Sequence, residues 1–292
     1  MTIPNRRQNT RHASSDAPFI ISLLIIGGLY VALILAMLLA DVNYLKPHDS
    51  NGVTTSARAI LQRSIAPLRT PEIRFALKLS LISCTVTAIL SLWFSVPLGY
   101  LMSRFHFPLK GLIDAILDIP IVLPPVVIGL SLLILFQSAP GKAIEKVVPF
   151  TYAIGGVILA QFAVSCAFAV RTMRVTFDQI NPRAERVALT LGCTRSQAFW
   201  RVALPEGRRG VLTAGTLAWA RAMGEFGPVL IFAGATRMRT EVLPTSVFLE
   251  LSVGNIESAV AVSLLMVVAA VLVLILVRFA GATSAMERGL MP

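Results

Sequence analysis

The stretch NPRAERVALTLGCTRSQAFWRVALP, residues 181–205, lies between two long apolar runs and carries its own folding signals. Asn181 suits a helix N-cap, and Pro182 suits the first helical position, where a missing N–H costs nothing. Gly192 falls where a helix would end in a left-handed residue. Thr194-Arg195-Ser196-Gln197 has the spacing of a capping box, which opens a second helix. Phe199, Val202 and Ala203 recur at i, i+3 and i+4 and give that helix an apolar face. Pro205 discourages continuation into the next segment. The product is two short helices joined at a glycine elbow. Such a hairpin either docks on another protein or lies on lipid headgroups, and local rules leave both readings open.

Outward from the hairpin, the chain is apolar. Of its 292 residues 55% are apolar and only 14% charged, where a soluble domain averages about 25% charged. The runs begin at Phe19 (to Ala40) and near Leu79 (to Leu101), Leu112 (to Phe136), Phe150 (to Val170), Val211 (to Ala233) and Ala259 (to Phe279). A bilayer core about 30 Å thick takes about 20 helical residues to cross, and hydrocarbon offers no partner for open backbone groups. The runs therefore predict an all-α integral membrane protein of about six transmembrane helices. The first run follows a basic segment, as a signal peptide's would. Its 22 residues exceed a usual signal core, and no A-x-A site follows, so it is read as a retained helix.

The organisation expected is a basic cytoplasmic tail over 1–18, a first transmembrane helix over 19–40 and an outer loop over 41–72. A core over 73–280 follows with five transmembrane helices, including a cytoplasmic loop over 171–210, and then a cytoplasmic tail over 281–292. The net charge of +11 fits basic residues gathering in loops that stay inside. Arg6, Arg7, Arg104, Lys110 and the arginines around the hairpin all fall on one side of six crossings. Both termini are then cytoplasmic. Lipid, not nucleic acid, is the expected surroundings.

Chemistry-bearing motifs are few. The three cysteines suggest no disulfide framework. His12, His48 and His106 are far apart in sequence, and no H-E-x-x-H or phosphate-binding G-x-x-x-x-G-K-[ST] occurs. No catalytic residue, metal site or cofactor of its own is expected. In the third run, Pro120, Pro124 and Pro125 remove backbone donors and interrupt helical bonding. Such a break is tolerated only against protein or a water-filled cavity, so the segment is either a kinked packing helix or part of a pathway. Asp114 and Asp118, near the start of that run, read as capping or interfacial charges. In the fifth run, Arg221 and Glu225 stand at i, i+4, one helical face apart. They are either an internal ion pair that locks helices or the lining of a path, with Arg221 attracting an anion. Gly224, Gly227 and Pro228 would let that helix bend or be approached closely.

The hairpin resembles the EAA loop of ABC importer permeases, whose pattern is E-A-A, three residues, G, nine residues and I-x-L-P. Gly192 is followed by nine residues and then Val202-Ala203-Leu204-Pro205. Val187 and Ala188 occupy the alanine positions, while Arg186 stands where the Glu belongs and Glu185 precedes it. The fifth run, with Arg221-Ala222-Met223-Gly224-Glu225-Phe226-Gly227, is similar to the R-[AS]-x-G-E-[FY]-G stretch of molybdate, tungstate and sulfate permeases. Pro120 with Pro124-Pro125-Val126-Val127-Ile128-Gly129 is similar to their P-x-x-x-P-P-V-V-x-G run.

The resemblance, over roughly residues 70–280, implies a type I importer permease (MetI-like) fold in the inner membrane and import of an oxyanion, molybdate or tungstate ahead of sulfate or thiosulfate. It implies two cytoplasmic ABC ATPase subunits that bind ATP and Mg, a second copy of the permease, and an extracytoplasmic oxyanion-binding protein. Glu185, Val187, Ala188, Gly192, Val202, Leu204 and Pro205 then belong to an ATPase-coupling loop. Arg221, Gly224, Glu225, Gly227, Pro124 and Pro125 belong to a pathway or gate. An ion-coupled secondary transporter, with Arg221, Glu225 and Asp118 as a charge relay, is the reading from a different class.

Overall fold

The computed structural model describes residues 17–44, 68 and 70–286. Most of the expected N-terminal tail, most of the 41–72 loop and the last six residues lie outside the described residues, as do His12 and His48. Among the described residues, every regular element is a helix.

Helix α1 (Ala17–Tyr44) is a unit by itself. Its apolar residues face every direction, and none of its described side chains is buried. Only hydrocarbon suits a helix that is apolar all round.

The rest of the chain forms the second unit. Helix α2 (Pro71–Arg104) opens with Pro71 at its first position and Glu72 in its first turn, and it ends on Arg104. Each charge lies at the helix end whose partial charge it complements. It packs along α6 (Ile154–Gln179). The buried face of α2 carries Ser83, Thr87, Ser91, Ser95 and Gly99, one every fourth residue. Small residues at that spacing let two membrane helices approach closely. Within this interface the Thr87 hydroxyl donates to Gln161 Oε1 at 3.3 Å. Helix α10 (Arg208–Met223) lies against both and inserts Ala214, Ala218 and Ala222, all fully buried, against Met173 and Phe177 of α6. A second cluster surrounds Phe136, Phe150 and Phe232, with ring centroids 5.4 and 5.1 Å apart. It includes Leu79 near the start of α2 and Val157 near the start of α6, at the end away from residues 181–205.

All six apolar runs are helical, but only four form unbroken helices long enough to span: Ile20–Tyr44, Pro71–Arg104, Ile154–Gln179 and Ile256–Ile275. The last is part of α13 (Ile256–Met286). The third run is two helices, α3 (Lys110–Val122) and α4 (Pro125–Gln137), bent by 112° at Leu123-Pro124. Two successive prolines there remove two backbone donors, so the helical ladder stops and restarts. The fifth run divides at Gly224-Glu225-Phe226 into α10 and α11 (Gly227–Phe232). Two further helices are short, α5 (Ala139–Glu145) and α12 (Leu243–Ser252).

Candidate functional site

The hairpin begins one residue later than its sequence suggests. Helix α7 (Arg183–Thr190) follows Pro182, and the Asn181 side chain accepts the Arg183 N–H at 3.0 Å. Its end is a Schellman arrangement: Cys193 N–H bonds to Ala188 O and Gly192 N–H to Leu189 O, with Gly192 at φ 90°. An added Cβ on Gly192 would meet no atom within 4 Å. The requirement for glycine is therefore conformational, not spatial. Gly192→Ala should destabilise the elbow by about 1 kcal/mol, while Gly192→Asn, which tolerates this region, should lose less. Thermal unfolding of the purified variants checks the order.

Thr194 and Gln197 form the expected capping box, opening α8 (Arg195–Ala198). Pro205 does not end the helix. Phe199–Ala203 widens into a π turn in which Leu204 N–H reaches Phe199 O, and the helix runs on through α9 (Leu204–Glu206) to Gly207 and α10. The proline ring and its missing donor disrupt ordinary i→i−4 bonding, and the wider turn accommodates both.

One carboxylate ties the hairpin to the spans. Glu185 is buried in the first turn of α7. The Tyr100 hydroxyl donates to its Oε2 at 2.7 Å and Arg104 Nε to its Oε1 at 2.8 Å. Arg104 Nη2 also donates to Ile180 O, just past the end of α6, at 2.9 Å. Three elements, the end of α2, the end of α6 and the start of α7, therefore share one charge-assisted network. Arg186, at the acidic position of the motif, is exposed, so the buried acid is its neighbour. On the other side of the hairpin Val187, Leu191 and Trp200 are 56, 79 and 63% exposed. Val202 and Leu204 are half-buried, Ala188 is half-buried, and Pro205 is exposed.

The broken spans meet at their breaks. A Cβ on Gly129 would lie 2.7 Å from Pro228 Cα, and one on Gly227 would lie 2.9 Å from Val126 Cγ2. The segment after Pro124-Pro125 thus crosses the segment after Gly224 at backbone contact. Pro124 and Gly224 are exposed and Pro125 half-buried. Arg221 pairs with Glu225 across the end of α10, with Glu225 1% and Arg221 29% exposed. The guanidinium also lies 5.5 Å from the centre of the Phe168 ring of α6, where a cation is attracted to the ring face. The acid is buried, and the base, paired with it, keeps part of its surface exposed.

Some charged residues take roles that sequence reading missed. Asp114 and Asp118 of α3 pair with Arg174 and Arg171 of α6. They are inter-helix ion pairs and not caps. The contacts of Tyr100 and Arg104 with Glu185 have no local signature, because they span more than 80 positions. Towards the other end, Glu241 is buried and accepts from the Ser246 hydroxyl at 2.8 Å. Burial pushes its carboxyl above the usual range, opposed by Ser246 and Arg237 and assisted by Glu250 and Glu72. A carboxyl raised on folding favours the folded state most at low pH, and that contribution fades as pH rises through the folded value. Glu241→Gln should therefore flatten the fall in melting temperature as pH rises out of the ordinary carboxylate range, as a thermal scan across pH would show.

The chain matches the family described as the binding-protein-dependent transport system inner membrane component over residues 95–283. It belongs to that family. The permease is 33% identical over 207 residues to the sulfate transport system permease protein CysT of Escherichia coli, covering 70% of this chain and 75% of that one. It is 34% identical over 226 residues to the molybdenum transport system permease protein ModB of Mycobacterium bovis, covering 76 and 85%. It is 36% identical over 169 residues to the molybdate/tungstate transport system permease protein WtpB of Pyrococcus abyssi, covering 58 and 64%. A bacterial alginate ABC transporter, solved with an alginate pentasaccharide-bound periplasmic protein, shares the fold at a TM-score of 0.67. It is 16% identical and covers 93% of this permease and 94% of its own chain. The family makes this chain a multi-pass membrane transport subunit and not an enzyme.

Proposed function

We propose that this permease is the transmembrane subunit of an ATP-driven importer for a tetrahedral oxyanion, molybdate or tungstate first. The observation that carries the reading is the hairpin. One side is locked to two spans through Glu185, and on the other Val187, Leu191 and Trp200 are each more than half exposed among the described residues. A rigid projection with an open apolar face can pass a partner's motion into the spans. Two cytoplasmic ATPase subunits, holding ATP and Mg, occupy that face, with both permease termini on the same side. A second permease copy completes the pathway, and an extracytoplasmic binding protein delivers the anion. The names of the molybdenum and molybdate/tungstate relatives support the substrate, as does the half-exposed Arg221. Sulfate is the second reading, favoured by the similarity to CysT over three quarters of that protein.

Reconstitution tests this directly. The permease, its ATPase and its binding protein in liposomes should accumulate labelled molybdate only with ATP inside the nucleotide-accessible compartment. Uptake by the permease alone under an ion gradient would instead establish a secondary transporter.

A further inference from the structure

Resting on the reading above, we infer that the groove between α6 and α10 is the anion's exit track, with Arg171 and Arg209 as successive weak binding points beyond Arg221. The two helices run antiparallel. Phe168 of α6 sits beside Arg221, and two turns further along α6 Thr176 sits against Gly210. From Arg221 to Arg209 is about 18 Å at 1.5 Å per helical residue, and Arg171 falls between them. The three cations therefore descend in order from the break in the fifth run to the hairpin end.

The groove itself is open, about 570 Å³ in volume, and lined by Arg171, Thr172, Thr176, Glu206, Arg209 and Thr213 among others. Arg171 lies within a spanning helix, about 12 Å from its end by the same rise. It is the first residue after the apolar run that ends at Val170, and a charge at such an edge faces protein or water. Its side chain is 61% exposed although it pairs with Asp118, so Asp118 covers one side and the groove lies on another. Arg171 also lines the adjoining cavity beside α3, which places it in the wall between the two.

The chemistry suits passage better than storage. Thr172, Thr176 and Thr213 donate their hydroxyl hydrogens to Phe168, Thr172 and Arg209 carbonyls at 2.9, 2.8 and 2.9 Å. The hydroxyls therefore offer lone pairs to the groove and no donors. An anion would be held by the two guanidinium groups, one of them already shared with Asp118, and by the exposed Gln179 amide. Glu206, at the hairpin end, opposes anion binding there and favours departure.

The experiment uses the full transporter in liposomes, with labelled molybdate uptake and ATP hydrolysis read together. Arg209→Gln and Arg171→Gln should each slow uptake about tenfold, the worth of roughly one charge-assisted contact. Stimulation of ATP hydrolysis by loaded binding protein should persist, because the hairpin network is intact. Arg209→Lys should recover most of the rate. The swap Arg171→Asp with Asp118→Arg restores the ion pair but moves the cation to α3, and it should leave uptake slow. Wild-type uptake in the swapped protein, or in Arg209→Gln, which alters an exposed side chain, would overturn the track. A wild-type complex that hydrolyses ATP but moves none of molybdate, tungstate or sulfate would instead overturn the function on which the track rests.

Discussion

Replacing Glu185 with Ala should abolish transport while leaving the permease in the membrane. The substitution leaves Arg104, whose side chain is 13% exposed, with a buried and uncompensated charge. Breaking a buried pair from one side costs about 3–5 kcal/mol. That cost falls on the junction of α2, α6 and α7, because Arg104 also holds Ile180 and Tyr100 loses its acceptor. The hairpin should then move independently of the spans. Partner ATP hydrolysis should persist at its basal rate and no longer rise with loaded binding protein. Tyr100→Phe removes one hydrogen bond and keeps the ion pair, so it should cost about 1 kcal/mol and slow transport modestly. Equal loss in both variants would show that the Tyr100 hydroxyl, and not the ion pair with Arg104, fixes the hairpin.

Arg221→Ala should reduce oxyanion uptake by at least about a hundredfold, or about 3 kcal/mol on the transport barrier. Two effects combine in that variant: the cation is lost, and Glu225, 1% exposed, is left unpaired. The double variant Arg221→Ala, Glu225→Gln separates them. Its buried amide carries no charge, so its thermal stability should return towards that of the wild type. Transport should remain absent, because the part-exposed cation is still missing. Recovery of uptake along with stability would make Arg221 a structural partner only. Arg221→Lys keeps the charge and loses the planar fork, so it should retain a measurable fraction of the rate.

What the sequence disclosed depended on how far apart the interacting residues lie. The glycine elbow, the capping box after Cys193 and the Arg221–Glu225 pair involve residues within five positions, and their spacing states the geometry. The helical runs were equally plain, since composition alone forces them. The break at Pro124-Pro125 was visible as a loss of donors, but its 112° angle is set by α3 pairing with α6 while α4 packs under Gly227 and Pro228. Neither contact has a local signature. Glu185 was legible only as an acid displaced by one position from its motif. Its importance lies in Tyr100 and Arg104, which are 85 and 81 positions away. Asp114 and Asp118 read as capping or interfacial charges near the start of the third run, and only the packing of α3 on α6 turns them to Arg174 and Arg171. Pro205 obeyed its local rule in part, since the chain absorbs it in a π turn instead of stopping.

The most direct test of the central claim is elemental accumulation in cells that carry the binding protein and ATPase, with and without this permease. Molybdate, tungstate and sulfate would be supplied together, with sulfate in large excess. The expected result is permease-dependent accumulation of molybdenum or tungsten that persists despite the sulfate and disappears with Glu185→Ala. Accumulation of none of the three elements, with the permease verified in the membrane, would contradict the account.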